Sequence, residues 1–259
     1  MGWTSPEPGR LILPVIYSQS NATGIASLLS NAPANNNRND SRCFKRDANR
    51  DLVVASEPLH LGIETALVIT AGSDDGFSWV KPAVNAWLDY APAKSVVIIP
   101  RGVGGTRLAT QWRTSPEDTY TKRAIDDSII GGLSANDRVC FLVYKGETEA
   151  ALGAASAEVT GFAAAVSSRL AFARTRIGRP DAPAIICDLQ HPGPLGTWPA
   201  WADVQAQIAT LASASDPKCT VVVSAALGNQ LHITSANHIT LGAEVSAALI
   251  ALIPDWTDS

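Results

Sequence analysis

The chain has 259 residues, of which 46% are hydrophobic and 17% charged, and its formal net charge is −4. That is enough for one substantial core and too little for two large domains with linkers. The low charge content excludes extensive disorder, and the acidic balance excludes a broad basic surface for nucleic acid and a polybasic membrane anchor.

In chain order, Met1 to Pro6 shows no basic region followed by an apolar stretch, so no signal peptide is expected there. Leu11 to Tyr17 (LILPVIY) predicts a first strand. Residues 31–51, rich in Asn, Asp and Arg, predict a long polar surface loop within a single domain spanning 1–259. Ala66 to Thr70 predicts a second, weaker strand, and Ser95 to Ile99 a third. Arg138 to Tyr144, Ala184 to Leu189 and Thr220 to Ser224 complete the set. These runs are β-branched and nearly continuous rather than alternating, as strands covered on both faces are.

Leu152, Ala155, Val159, Phe162, Val166 and Leu170 recur at helical spacing, as do Leu241, Val245, Leu249 and Leu252. Strand and helix in alternation predict a three-layer α/β/α sandwich, flavodoxin-like, on a parallel sheet of about five strands. No apolar run approaches the roughly 18 residues of a membrane-spanning helix. Of the four cysteines, Cys140, Cys187 and Cys219 fall in strand-like runs and read as buried free thiols, while Cys43 falls in the predicted loop.

In a sheet of this kind ligands bind beyond the carboxyl ends of the strands, so the residues after each strand carry the chemistry. After the first come Ser18-Gln19-Ser20-Asn21. A serine at a strand-to-helix turn has free backbone N–H groups beside it for a developing oxyanion, although a polar N-cap has the same composition. After the third come Gly102-Val103-Gly104-Gly105-Thr106 and then Trp112. This is no phosphate loop, since no Gly-Lys-Ser/Thr follows, and no GxGxxG, since Arg107 stands three after Gly104.

After the fourth come Lys145-Gly146-Glu147-Thr148-Glu149. A carboxylate here can orient a histidine or simply face a helix dipole, and the second role suits Glu149 better. After the last come Asn229 and His232, then His238 and Leu241-Gly242. There is no GxSxG elbow and no HExxH, and two histidines six apart do not share a helix face, so neither an α/β-hydrolase nor a catalytic metal is expected.

Together these four blocks resemble the SGNH/GDSL hydrolase superfamily, and within it the carbohydrate O-acetylesterases that include sialate O-acetylesterases and acetylxylan esterases. The family reads Gly-Gln-Ser-Asn, Gly-Gly-Thr with a following Trp, Gln-Gly-Glu-Ser-Asp, and Asp with a His three residues on. The resemblance implies Ser20 as nucleophile and part of the oxyanion hole, with Gly104 or Gly105 as a further N–H donor. It implies His232 as general base, in preference to His238, on which the Leu-Gly pair would be misplaced. Gln19, Asn21, Lys145 and Asn229 would support these groups.

Three departures stand out: Ser18 for Gly, Lys145 for Gln, and Asn229 for the Asp that normally serves the histidine. Losing that acid can cost about 10⁴-fold in acyl transfer, so another carboxylate is needed, with Glu147 the candidate and Glu149 the reserve. Lys145 either replaces the oxyanion-hole Gln or points to solvent.

The expected function is a serine esterase that removes O-acetyl groups from a carbohydrate, with no cofactor and no metal. The expected partner is an acetylated carbohydrate, neither nucleic acid nor membrane. Two alternatives stay open: a carbohydrate-binding relative weakened by Asn229 and Lys145, and an esterase or lipase acting on other small acyl esters. Seven tryptophans against five phenylalanines suit stacking on sugar rings. The resemblance implies a soluble protein that is secreted or displayed, and a viral tail-protein domain would need no signal peptide.

Overall fold

The structure is a computed structural model that describes residues 9–18, 38–46, 51–57, 59, 78–102, 106–110, 112, 125–126, 129, 132–189, 198–213, 218–224 and 233–254. Its strands are β1 (Arg10–Ser18), β2 (Cys43–Arg46), β3 (Leu52–Val54), β4 (Ser95–Gly102), β5 (Arg138–Val139), β6 (Phe141–Tyr144), β7 (Ala184–Cys187) and β8 (Cys219–Val222). The helices of eight or more residues are α1 (Val80–Tyr90), α4 (Phe162–Ile177), α5 (Trp201–Ser213) and α6 (Ser235–Leu252). Single turns form α2 (Glu147–Ala150) and α3 (Ala157–Thr160).

The sheet runs β3-β2-β4-β1-β6-β7-β8, with β5 also paired to β1. Every pairing is parallel except β2 with β3. Helices pack on the sheet in two groups, α1 with α6 and α5 with α2, α3 and α4. This is the predicted α/β/α sandwich, and the apolar strands are its core: Leu11, Ile12, Leu13, Ile98, Ile99 and Phe141 are each at most 1% exposed.

Four of the predicted strands appear near their expected places, and the run over Arg138 to Tyr144 divides at Cys140. There the chain changes partners: the Cys140 N–H donates to Ile12 O at 3.0 Å, and the Phe141 N–H to Pro183 O at 2.9 Å. The run thus bridges β1 and β7. The predicted strand over Ala66 to Thr70 lies outside the described residues.

The polar-loop expectation for 31–51 needs correction. Cys43–Arg46 is a strand paired parallel to β4, with Cys43 wholly buried rather than in a loop. Its cations hid it, yet Lys45 is 5% exposed because its ammonium donates to Ser56 O and Leu59 O, at 3.4 and 3.2 Å. A long aliphatic stem buries well when its head finds carbonyls. All four cysteines are free and buried.

The tryptophan expectation also changes. Trp79, Trp87, Trp112 and Trp201 are at most 2% exposed and fill the core, so the count is no sign of a sugar-stacking surface.

The predicted helix over 152–170 is α3 followed by α4, and the C-terminal spacing is α6. Gly242 of the Leu-Gly pair has a packing reason, because a Cβ there would stand 2.5 Å from Pro82 Cβ and 2.8 Å from Trp79 O. It lets α6 lie directly on the start of α1. No helix among the described residues is long and apolar enough to cross a membrane.

Candidate active site

Because the central strands are parallel, their carboxyl ends share one edge. At that edge Ser18 of β1 pairs with Gly102 of β4, and Tyr144 of β6 with Cys187 of β7. β1 lies between β4 and β6. Of the predicted site residues, Lys145 and Glu147 are described. Gln19, Ser20, Asn21, Gly104, Gly105, Asn229 and His232 lie outside the described residues. β6 and β7 stand between β1 and β8, so the first and last strands are not neighbours.

The chain leaves β1 through a strained bend. Tyr17 has φ 51°, the one positive value for a non-glycine among the described residues, and the β1–β4 register shifts between Val15 and Ser18. A bulky residue in this region costs about 1–3 kcal/mol and persists only where its surroundings over-determine it. Here they do. Tyr17 is wholly buried, its hydroxyl donates to Arg169 O at 3.1 Å, and its ring meets Trp112 edge-on at 5.5 Å.

The residues after Gly104-Gly105 form a strap tied from several sides. Trp112 Nε1 donates to Thr106 Oγ1 at 2.8 Å, within the strap itself. Arg169 of α4 donates from Nε to Trp112 O at 2.7 Å and from its Nη2 to Leu108 O at 2.9 Å. Arg107 pairs with Glu158 of α3 at 3.1 Å. The Lys145 ammonium donates to Thr106 O. A cavity of about 250 Å³ lies between the strap and α3–α4, lined in part by Leu108, Glu149, Glu158 and Arg169. A larger one, about 510 Å³, lies at the opposite edge of the sheet beside Arg138 and Pro183, away from these groups.

Of the two readings of Lys145, the solvent-facing one fails: it is 1% exposed, and its ammonium stands 3.7 Å from Glu149 Oε2. Burial pushes its pKa down to about 8, opposed by the charges of Glu149 and Glu147. Glu149 lies in the first turn of α2, where a carboxylate faces the helix dipole. It is also 1% exposed, and its Oε1 accepts the Leu108 N–H at 2.8 Å. One oxygen is thus bonded to the strap, and the other forms the ion pair with Lys145.

Glu147 opens α2 and is 4% exposed. Gly146 before it has φ 130°, and a Cβ there would meet Val204 Cγ1 at 2.8 Å, so only glycine fits this turn from β6 into α2. His238, the rival base, is wholly buried within α6.

One carboxylate was missed. The predicted strand ran to Leu189, but β7 ends at Cys187, which leaves Asp188 at the carboxyl edge between β6 and β8. Burial raises its pKa to about 6, opposed by bonds from the Leu189 N–H and Gln205. The strand-like run continues two residues beyond the last paired one, which conceals it in the sequence.

Comparison with known proteins agrees with this picture. The family described as carbohydrate esterase, sialic acid-specific acetylesterase, matches residues 12–251. A protein from Arabidopsis thaliana of known structure superposes with TM-score 0.76 at 17% identity, over 95% of this chain and 99% of that one. The structure of NanS superposes with TM-score 0.70 at 9% identity, over 98% and 100%. A carbohydrate acetylesterase from Xanthomonas citri superposes with TM-score 0.61 at 14% identity, over 95% of this chain and 56% of that one. No curated protein sequence matches significantly.

Proposed function

The chain belongs to the carbohydrate esterase family of sialic acid-specific acetylesterases, a family of carboxylic ester hydrolases, and we propose that it removes O-acetyl groups from carbohydrate through an acetyl-enzyme on Ser20. One observation carries this reading. The strands that precede Ser20, Gly104-Gly105 and Glu147 in the sequence are β1, β4 and β6, which adjoin in the sheet and end at one edge.

In the proposed mechanism His232 takes the proton of Ser20 Oγ as the oxygen attacks the acetyl carbonyl. The N–H groups of Ser20 and of Gly104 or Gly105 hold the oxyanion. His232 then gives the proton to the departing sugar hydroxyl, leaving acetyl-Ser20. Water, deprotonated by His232, attacks that ester and releases acetate, and Ser20 recovers its proton. Gln19 and Asn21 flank the nucleophile, and Asn229 orients the imidazole. Glu147 supplies the charge that Asn229 lacks. The complete burial of His238 favours His232 as the base.

The test is acetate release across a panel of acetylated polysaccharides, with p-nitrophenyl acetate turnover and fluorophosphonate labelling run alongside. Wild type should release acetate and carry the label on Ser20. Ser20→Ala should lose both while keeping its thermal midpoint. A Ser20→Ala protein retaining more than a few per cent of the rate overturns Ser20 as nucleophile. Turnover of p-nitrophenyl acetate with no polysaccharide hydrolysed points instead to small acyl esters.

A further inference from the structure

We infer that Lys145 and Glu149 are a positioning pair that fixes the oxyanion strap from below, Lys145 through the Thr106 carbonyl and Glu149 through the Leu108 N–H. The inference rests on the proposed role of Gly104 and Gly105 as oxyanion donors.

The two residues lie one helical turn apart, at the end of β6 and in α2. They grip the strap at alternate residues and with opposite polarity, a cation on a carbonyl and a carboxylate on an amide. Thr106 follows Gly105 directly, so one intervening peptide plane separates the Thr106 carbonyl that Lys145 holds from the proposed Gly105 N–H donor. Each partner also neutralises the other: a lone charge this deep is costly, and a lone carboxylate would need other donors.

A lysine at this position therefore acts on the strap, and through it on the developing oxyanion, without touching substrate. Arg169 of α4 holds the same strap at Leu108 O and Trp112 O, and Trp112 closes it on itself through Thr106. Oxyanion donors lose effect when misplaced by less than an ångström, so the pair should appear in turnover more than in binding.

The experiment compares wild type with Lys145→Met, Glu149→Gln and Lys145→Arg. Readouts are kcat and KM on p-nitrophenyl acetate, the rate of fluorophosphonate labelling at Ser20, and amide exchange over residues 106–112. Lys145→Met should lower kcat about 10–100-fold with KM changed less than about threefold. Labelling should slow in parallel, because phosphonylation uses the same donors. Glu149→Gln should speed exchange at Leu108, and Lys145→Arg should recover part of the lost kcat.

Wild-type kcat in Lys145→Met, with Ser20→Ala inactive, overturns the positioning role and leaves the nucleophile assignment standing. An active Ser20→Ala protein overturns the assignment itself. If Lys145→Met does not fold, the wild-type protein still decides: a Leu108 amide that exchanges as fast as an exposed loop overturns the inference.

Discussion

Tyr17 and Trp112 meet edge-on, ring centroids 5.5 Å apart and planes inclined by 77°. The contact joins β1, three residues before the proposed nucleophile, to the far end of the strap that follows the proposed oxyanion donors. Tyr17→Phe keeps the ring contact and loses the bond to Arg169 O, so it should cost about 0.5–1.5 kcal/mol with kcat nearly unchanged. Trp112→Ala removes both the ring contact and the bond to Thr106, and should cost about 3–5 kcal/mol. Urea midpoints and kcat on p-nitrophenyl acetate measure both.

Gly242 provides a test of packing without chemistry. Gly242→Ala puts a methyl against Pro82 and the Trp79 carbonyl, so α6 and α1 must separate. Overpacking of this kind costs about 1–3 kcal/mol. The thermal midpoint should fall while the KM of the folded enzyme stays near wild type. An unchanged midpoint would mean that the two helices yield at this point without cost.

Burial raises the pKa of Glu57 to about 7, opposed by bonds from the Leu59 N–H and from the Ser78 N–H and hydroxyl. The folded state therefore holds the proton where the unfolded chain, with pKa near 4.5, has released it. Stability from this group is complete below the unfolded pKa and is lost as pH rises toward 7. Asp188 contributes with the same sign between the ordinary carboxylate value of 3.8 and about 6. Urea midpoints from pH 4.5 to 7 should fall less steeply in Glu57→Gln than in wild type. Equal slopes would remove Glu57 as a source.

The apolar strands were legible because burial on both faces leaves a continuous β-branched run, and Leu11 to Tyr17 and Ser95 to Ile99 are of that kind. β2 was not, because its Lys45 and Arg46 read as solvated, whereas both are buried and the Lys45 ammonium ends on the carbonyls of Ser56 and Leu59. The four chemical blocks were legible as motifs. The clamp on the strap was not: Lys145 and Arg169 end on backbone carbonyls, and a carbonyl has no letter in a sequence. Asp188 was hidden for a third reason, since an apolar run does not mark the residue at which pairing stops.

The last prediction concerns the acid that assists His232. Asn229 carries no charge, so the imidazolium formed during attack needs a carboxylate from elsewhere. Three described carboxylates lie near the carboxyl edge. Glu149 is already engaged by Lys145 and the Leu108 amide. Asp188 accepts from the Leu189 N–H at 2.8 Å, beside the Leu189 carbonyl that Gln205 of α5 holds at 2.7 Å. Glu147 is the carboxylate proposed here: it is held at a strand end by a glycine turn and is 4% exposed, where solvent screens little. Glu147→Gln should lower kcat about 10²–10⁴-fold with a modest change in KM. Asp188→Asn should leave kcat within about threefold, since an amide oxygen still accepts from the Leu189 N–H. Glu149→Gln should lose activity together with protection of the Leu108 amide, which marks it as a fault in the strap rather than in the acid. Asn229→Asp should restore part of the turnover lost in Glu147→Gln. A near-wild-type Glu147→Gln beside a crippled Asp188→Asn would transfer the role to Asp188. If both are near wild type, the enzyme works as a serine–histidine dyad with Asn229 orienting the ring.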